Sequence, residues 1–281
     1  LAVCVKVTPA LFLPYWLYQR NWKLLGGAAA GLVLLVAAMP AALLGPARAA
    51  AVTTQWVDRL VLPNVGSASW YPQHVNQSLS GVISRYTLAG RGGDIFWNPE
   101  HDPDYKGSQH GWINFASLDG STAAGLLTAA RAAVLALLAG AIGWRRADRG
   151  GPQRALHYAL VLAAMMLINQ RTWDHHTAVL LPAYVAVWYA VYRAPLGRGA
   201  RAAAGTATAA AMALVYLTRA DVIGGVARLV GAAKAQAKVL ADYVEAYGPG
   251  FWQLVMVLVV AAGLLIGWRL AERRGGERAA P

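Results

Sequence analysis

Gln170-Arg171-Thr172-Trp173-Asp174-His175-His176 stands between two long apolar runs, Ala155 to Ile168 and Ala178 to Val191. An arginine, an aspartate and two histidines are costly to hold at the edge of a hydrocarbon slab, so their presence there reads as a site. The runs that flank them read as membrane-spanning helices. That reading decides the fold class: all-α, a polytopic transmembrane helical bundle.

Composition agrees. Of 281 residues, 57% are apolar and only 14% charged, too few for the surface of a soluble domain of this size. Mean hydropathy is +0.40 and the sequence pI is about 10.1. The net charge of +12 lies in short connections rather than on one folded surface, so it fits membrane orientation and anionic lipid, not nucleic acid. One cysteine, Cys4, excludes an intrachain disulfide. The first residue is Leu1, and the chain is expected to be the C-terminal part of a longer protein, residues 1–281 forming one integral membrane domain.

About seven spans are expected: Ala2 to Tyr18, Leu24 to Leu44, Ala123 to Trp144, Ala155 to Ile168, Ala178 to Tyr192, Ala202 to Leu217 and Phe251 to Trp268. Arg20 and Lys23, Arg145 to Arg154, Arg193 to Arg201, and Arg269 to Arg278 then share one side, which the positive-inside rule makes cytoplasmic. The other side carries a large non-cytoplasmic loop, residues 45–122, the tight loop Asn169 to Thr177, and residues 218–250. The first of these is rich in Trp, Tyr and Phe, a load that disordered segments lack. The third repeats apolar residues from Val222 to Val244, with Arg228, Lys234, Lys238, Asp242 and Glu245 off the stripe, the pattern of a helix lying in the membrane interface.

Three constellations could carry chemistry. Lys6, in Val5-Lys6-Val7-Thr8-Pro9, is either a lysine snorkelling to headgroups or a compact cation for a lipid phosphate. In His74 to Arg85, helical spacing puts Gln77, Gly81 and Arg85 on one face, with a gap at Gly81 through which a ligand oxygen could approach the backbone. An amphipathic interfacial helix with a solvated arginine is the plainer account. Asn76-Gln77-Ser78 also matches a glycosylation sequon. In the opening stretch, adjacent histidines point about 100° apart on a helix and chelate poorly, so no metal is expected there. Asp174 suits a helix N-cap, yet Arg171, Trp173, Asp174, His175 and His176 together exceed what capping needs. Trp173 offers a face to a sugar ring, and its polar neighbours suit hydroxyls. Asp94, Glu100, His101, Asp102, Asp104 and His110 lack the spacing of a calcium loop and read as a solvated surface.

Lys6-Val7-Thr8-Pro9, then Asn76-Gln77-Ser78 with Arg85, then Trp173-Asp174-His175-His176 resemble, in order, blocks of glycosyltransferase family 87, over about Val3 to Leu181. That family belongs to the GT-C superfamily and includes polyprenol-phosphate-mannose-dependent mannosyltransferases of bacterial envelopes. The resemblance implies a GT-C-like fold in a bacterial plasma membrane, with the active site on the non-cytoplasmic side. The donor would be a polyprenyl-phosphate sugar, mannose by the family's tendency, and the acceptor a glycolipid or glycan; membrane lipids are the other partners, and no cofactor is implied. Transfer would invert the anomeric carbon. Lys6 and Arg85 would bind the donor phosphate, while Asn76, Gln77, Ser78, Arg171, Trp173, Asp174, His175 and His176 would bind sugar or acceptor. The catalytic base is expected upstream of Leu1, since neither Asp58 nor Asp174 is assigned to it.

Two rival classes remain on the sequence alone. A transporter or flippase of a lipid-linked or anionic substrate would line a mid-depth path with Lys6, Arg85 and Asp174. A non-catalytic membrane scaffold would need no cavity at all.

Overall fold

The computed structural model describes residues 8–62, 70–97, 110–143 and 151–279, the side chains of 8, 60, 174, 175 and 273–279 apart. It is 79% helical, and among the described residues the sole β pairing is an isolated bridge between Leu88 and Leu118. Two compact units form, Leu1–Ser69 and Trp70–Pro281.

In the first unit, α1 (Phe12–Tyr18) precedes the long helix α2 (Trp22–Leu44), which turns at Gly45 into α3 (Pro46–Trp56). Gly45 has φ +80, a conformation that glycine adopts without steric cost. Pro40 lacks an N–H, so the ladder of α2 cannot close onto Val36, and the preceding segment Val33–Ala38 widens into a π-helix. Thr53 of α3 donates its hydroxyl to the Val36 carbonyl at 3.3 Å. A residue 17 positions away thus satisfies the acceptor that proline abandons. Residues 45–122 therefore open with a helix.

The second unit contains α4 (Leu79–Thr87), α5 (Gly120–Ile142), α6 (Pro152–Ile168), α7 (Leu181–Arg193), α8 (Arg198–Leu217), α9 (Ala220–Leu229), α10 (Lys234–Ala246) and α11 (Pro249–Ala279). Helix α6 is central and packs on α5, α7 and α11, while α8 lies against α7 and α11. Leu156, Ala159, Leu160, Val161, Ala163 and Ala164 of α6 are fully buried. The three alanines let neighbouring backbones come close, which is how helices pack when no water drives them together. Arg269 of α11 closes the end of α5 by donating to the carbonyls of Ala141 at 2.6 Å and Ile142 at 2.5 Å.

Among the described residues, four helical stretches are long and apolar enough to cross a bilayer: Trp22–Leu44, Gly120–Ile142, Arg198–Leu217 and Lys234–Glu272. Pro152–Ile168 is apolar but shorter. The expected run Ala178 to Tyr192 begins its α-helix only at Leu181, because Asp174–Leu180 form a 3₁₀ turn. Leu181, Val185, Tyr189 and Tyr192 of α7 and Trp252, Val259, Ile266 and Leu270 of α11 point outward, as lipid-facing side chains do.

Residues 218–250 depart from the single interfacial helix. They fold as two helices, α9 and α10, broken at Gly231 with φ +93, and α11 follows after Gly248 with φ +71. Val226, Leu229, Val230 and Leu240 are exposed, whereas Asp242 and Glu245 are buried. The stripe is divided, for its member Ala237 is buried, and Arg228, Lys234 and Lys238 off the stripe are exposed. Apolar side chains have no reason to seek the interior when the surroundings are themselves apolar, and the two carboxylates of α10 turn in toward His74 of the segment that precedes α4.

Candidate functional site

The Asn76-Gln77-Ser78 block is the best-connected polar feature of the second unit. Asn76 donates through Nδ2 to the carbonyls of Tyr71 and Gln170, each at 2.9 Å, and accepts at Oδ1 from the N–H groups of Ser78 and Thr172. Its amide is therefore fully satisfied. The Gln170 carbonyl also accepts from Ser78 Oγ at 2.9 Å and Ser80 Oγ at 2.8 Å, and Gln77 donates its N–H to the Thr172 carbonyl at 2.6 Å. Residues 76–80 and 170–172 thus lock together across 90 or more positions of sequence.

Gln77 joins a third segment to this pair. Its Nε2 donates to the carbonyls of His74 at 2.7 Å and Glu245 at 3.1 Å, and its Oε1 accepts from Gly250 N–H at 3.1 Å and Phe251 N–H at 3.4 Å. The last two are first-turn donors of α11, which has no earlier carbonyl of its own to offer them. Ser78 caps α4 by accepting from Gly81 N–H at 3.3 Å. All three side chains of the block are buried, and their polar atoms are paired with the protein. Burial also puts Asn76 out of reach of a glycosylating enzyme, so the sequon is a coincidence of letters. The gap expected at Gly81 is filled by Asn76: a Cβ there would stand 2.6 Å from its carbonyl oxygen.

Arg85 is fully buried. Its Nε donates to Ala246 O at 2.8 Å and its Nη1 to the carbonyls of Pro72, Gln73 and Asn76 at 3.3, 2.7 and 2.8 Å, while Nη2 has no acceptor. Burial lowers its pKa to about 10, so it stays cationic at neutral pH. The expected phosphate ligand is thus enclosed by the carbonyls it organises.

The joint presents one more accessible surface, the loop of residues 171–176. The Arg171 guanidinium lies 3.6 Å above the centre of the Tyr71 ring. Trp173 and His176 stack with centroids 6.3 Å apart, and Trp173 N–H donates to His176 Nδ1 at 2.9 Å, which leaves the ring proton on Nε2. Arg171, Trp173 and His176 are all half-buried. Trp173 and His176 are thus brought together, and Arg171 stands on Tyr71, in the loop that the Asn76 block anchors; the side chains of Asp174 and His175, and all of Lys6, lie outside the described residues.

Two groups had little signal in the sequence. Asp94 is fully buried, not solvated: it accepts from the N–H groups of Phe96 at 2.9 Å and Gly111 at 3.0 Å, and His110 Nδ1 lies 2.7 Å from its other oxygen. Glu100, His101, Asp102 and Asp104 lie outside the described residues. His74 approaches Asp242 and Glu245, with Nε2 at 3.5 Å from Asp242 Oδ1 and 3.7 Å from Glu245 Oε2. Burial lowers the His74 pKa to about 4, outweighing the pull of Asp242, so the ring is neutral.

The model of one family, glycosyltransferase family 87, matches residues 1–170. That span contains Asn76-Gln77-Ser78 and Arg85 and stops short of Trp173. No curated protein and no solved structure matches the chain.

Proposed function

Since the chain belongs to glycosyltransferase family 87 and is on that account a membrane glycosyltransferase, we propose that it moves mannose from a polyprenyl-phosphate donor to a glycolipid or glycan acceptor. The reaction takes place at the non-cytoplasmic face of a bacterial plasma membrane. An acceptor hydroxyl attacks the anomeric carbon from the side opposite the lipid phosphate, the bond to that phosphate breaks, and configuration inverts. A carboxylate takes the hydroxyl proton. That base is none of Asp94, Asp242 and Glu245, which are buried in protein contacts.

One observation supports the reading: residues 76–80 and 170–172 are hydrogen-bonded together at the start of the loop that carries the half-buried Arg171, Trp173 and His176. A rigid base under a short loop is what sugar binding requires, because positioning lost by an ångström costs rate steeply. In this reading Trp173 stacks on the sugar, and Arg171 and His176, with Asp174 and His175 beside them, bind sugar or acceptor hydroxyls. Asn76, Gln77 and Ser78 act beneath them as positioning residues. Lys6 meets the departing phosphate. Arg85 supports that charge from an enclosed position and holds the backbone of residues 72–76.

The test is transfer from polyprenyl-phosphate mannose by the purified protein in lipid nanodiscs. Lys6→Ala, Arg171→Ala and His176→Ala are each expected to lose at least about 100-fold in kcat/KM with the unfolding midpoint unchanged. Wild-type rates in all three would end the assignment, and transfer from a glucosyl but not a mannosyl donor would correct the sugar.

A further inference from the structure

We propose that His74, Asp242 and Glu245 form a divalent-cation site, with zinc the best-fitting ion, that ties the segment before α4 to α10. The three ligand atoms, His74 Nε2, Asp242 Oδ1 and Glu245 Oε2, lie within 4.8 Å of one another. They arrive from positions far apart in the chain, Asp242 and Glu245 from the buried face of α10 and His74 from the turn that follows Trp70.

The orientation of the imidazole is the deciding observation. His74 Nδ1 lies 3.4 Å from the Ile95 carbonyl oxygen, an acceptor that suits a proton on that nitrogen. The other ring nitrogen, Nε2, faces the two carboxylate oxygens. One imidazole nitrogen and two carboxylate oxygens thus stand around a common centre. A proton there serves poorly, since 3.5 and 3.7 Å both exceed a charge-assisted hydrogen bond of about 2.7 to 2.9 Å. A metal ion fits better. Tetrahedral zinc, with bonds of about 2.0 to 2.2 Å, places its ligands about 3.3 to 3.6 Å apart, and the histidine edges of 3.5 and 3.7 Å stand within and just above that range, a difference that a small side-chain shift closes. The Ile95 carbonyl behind Nδ1 is the outer partner that a ligating histidine characteristically has.

The surroundings also set limits. Lys238 holds the other oxygen of Asp242 at 2.8 Å, which leaves Oδ1 turned to His74. Arg85 lies close enough to His74 to affect its charge, and its cation weakens the pull of the site on any ion. Three protein ligands leave a fourth position for water. Gln77 donates to the carbonyls of His74 and Glu245, so the ion and the amide clamp the same two segments side by side.

The test reads ion uptake, not sugar transfer, so its outcome is independent of the proposed reaction. Purified protein in detergent is stripped with chelator and titrated with ZnCl₂, and the bound ion is examined by X-ray absorption. One zinc per chain is expected, with a single imidazole and oxygen neighbours at about 2.0 Å, and a rise in unfolding midpoint on binding. His74→Gln and the double change Asp242→Asn with Glu245→Gln should weaken uptake at least about tenfold, while His175→Ala with His176→Ala should leave it intact. Where the first two fail to fold, the absorption spectrum of the wild type decides. No stoichiometric uptake, an ion without an imidazole neighbour, or unchanged uptake in a folded His74→Gln protein would overturn the site.

Discussion

Gln77 and Gly250 meet at 3.1 Å across 173 positions of sequence, the side-chain oxygen of the first accepting the N–H of the second. Gln77 thereby serves as a distant cap for α11, the longest helix among the described residues, and its Nε2 is engaged by two further carbonyls. Gln77→Ala strands all of these groups at once. An orphaned buried group costs about 1 to 3 kcal/mol, so a loss of about 2 to 4 kcal/mol is expected, partly recovered by hydration. Thermal unfolding in detergent checks this, and a midpoint unchanged within about 1 °C would show that the amide is dispensable.

Arg85→Lys separates support from ligand binding. Lysine keeps the charge but lacks the planar fork that reaches four carbonyls. The variant should therefore unfold several degrees below wild type before any rate is considered. A normal midpoint with abolished transfer would instead make Arg85 a direct phosphate contact.

Gly81→Ala tests the packing of α4 on Asn76. A Cβ 2.6 Å from Asn76 O and 2.7 Å from its Cγ forces backbone and amide apart, and overpacking of this kind costs about 1 to 3 kcal/mol. Because Asn76 also holds Gln170 and Thr172, faster proteolysis within residues 170–177 should accompany the loss. Equal cleavage rates in the two proteins would uncouple the loop from α4.

Thr53 and Pro40 should behave as a coupled pair. Thr53→Val leaves the Val36 carbonyl without its hydroxyl and should cost about 1 kcal/mol. In a Pro40→Ala background the helix can supply its own N–H, and the same change should be nearly silent. A double-mutant cycle on unfolding free energies measures the difference, and strict additivity would refute it.

Much of this is legible in the letters. The runs that form α2, α5, α8 and α11 are long and apolar enough that bilayer thickness alone identifies them. Gln77 and Arg85 stand out as polar residues sharing a face, but their partners do not, because a carbonyl at 170 or 245 is offered by every residue type. The burial of Asp242 and Glu245 is not legible, because periodicity sets them off the apolar stripe of α10 without saying which residues of either face turn inward. His74 gives no signal by itself, since its two acidic neighbours come together only after α10 has folded back. Arg131, midway along α5, is legible as a charge inside an apolar run, yet the run reads as a plain span.

The closure of Gln77 onto Glu245 and Gly250 has a bearing on biosynthesis. A ribosome delivers residue 77 long before residue 250, and α5 through α10 must be threaded into place in the interval. Asn76, Ser78 and Ser80 can close onto residue 170 once it has emerged, but Gln77 Oε1 has only water or chaperone to answer it until Gly250 and Phe251 arrive. The segment reaches its finished form when the final helix emerges, so a nascent chain halted before Gly250 is left with an open seam that quality control can recognise.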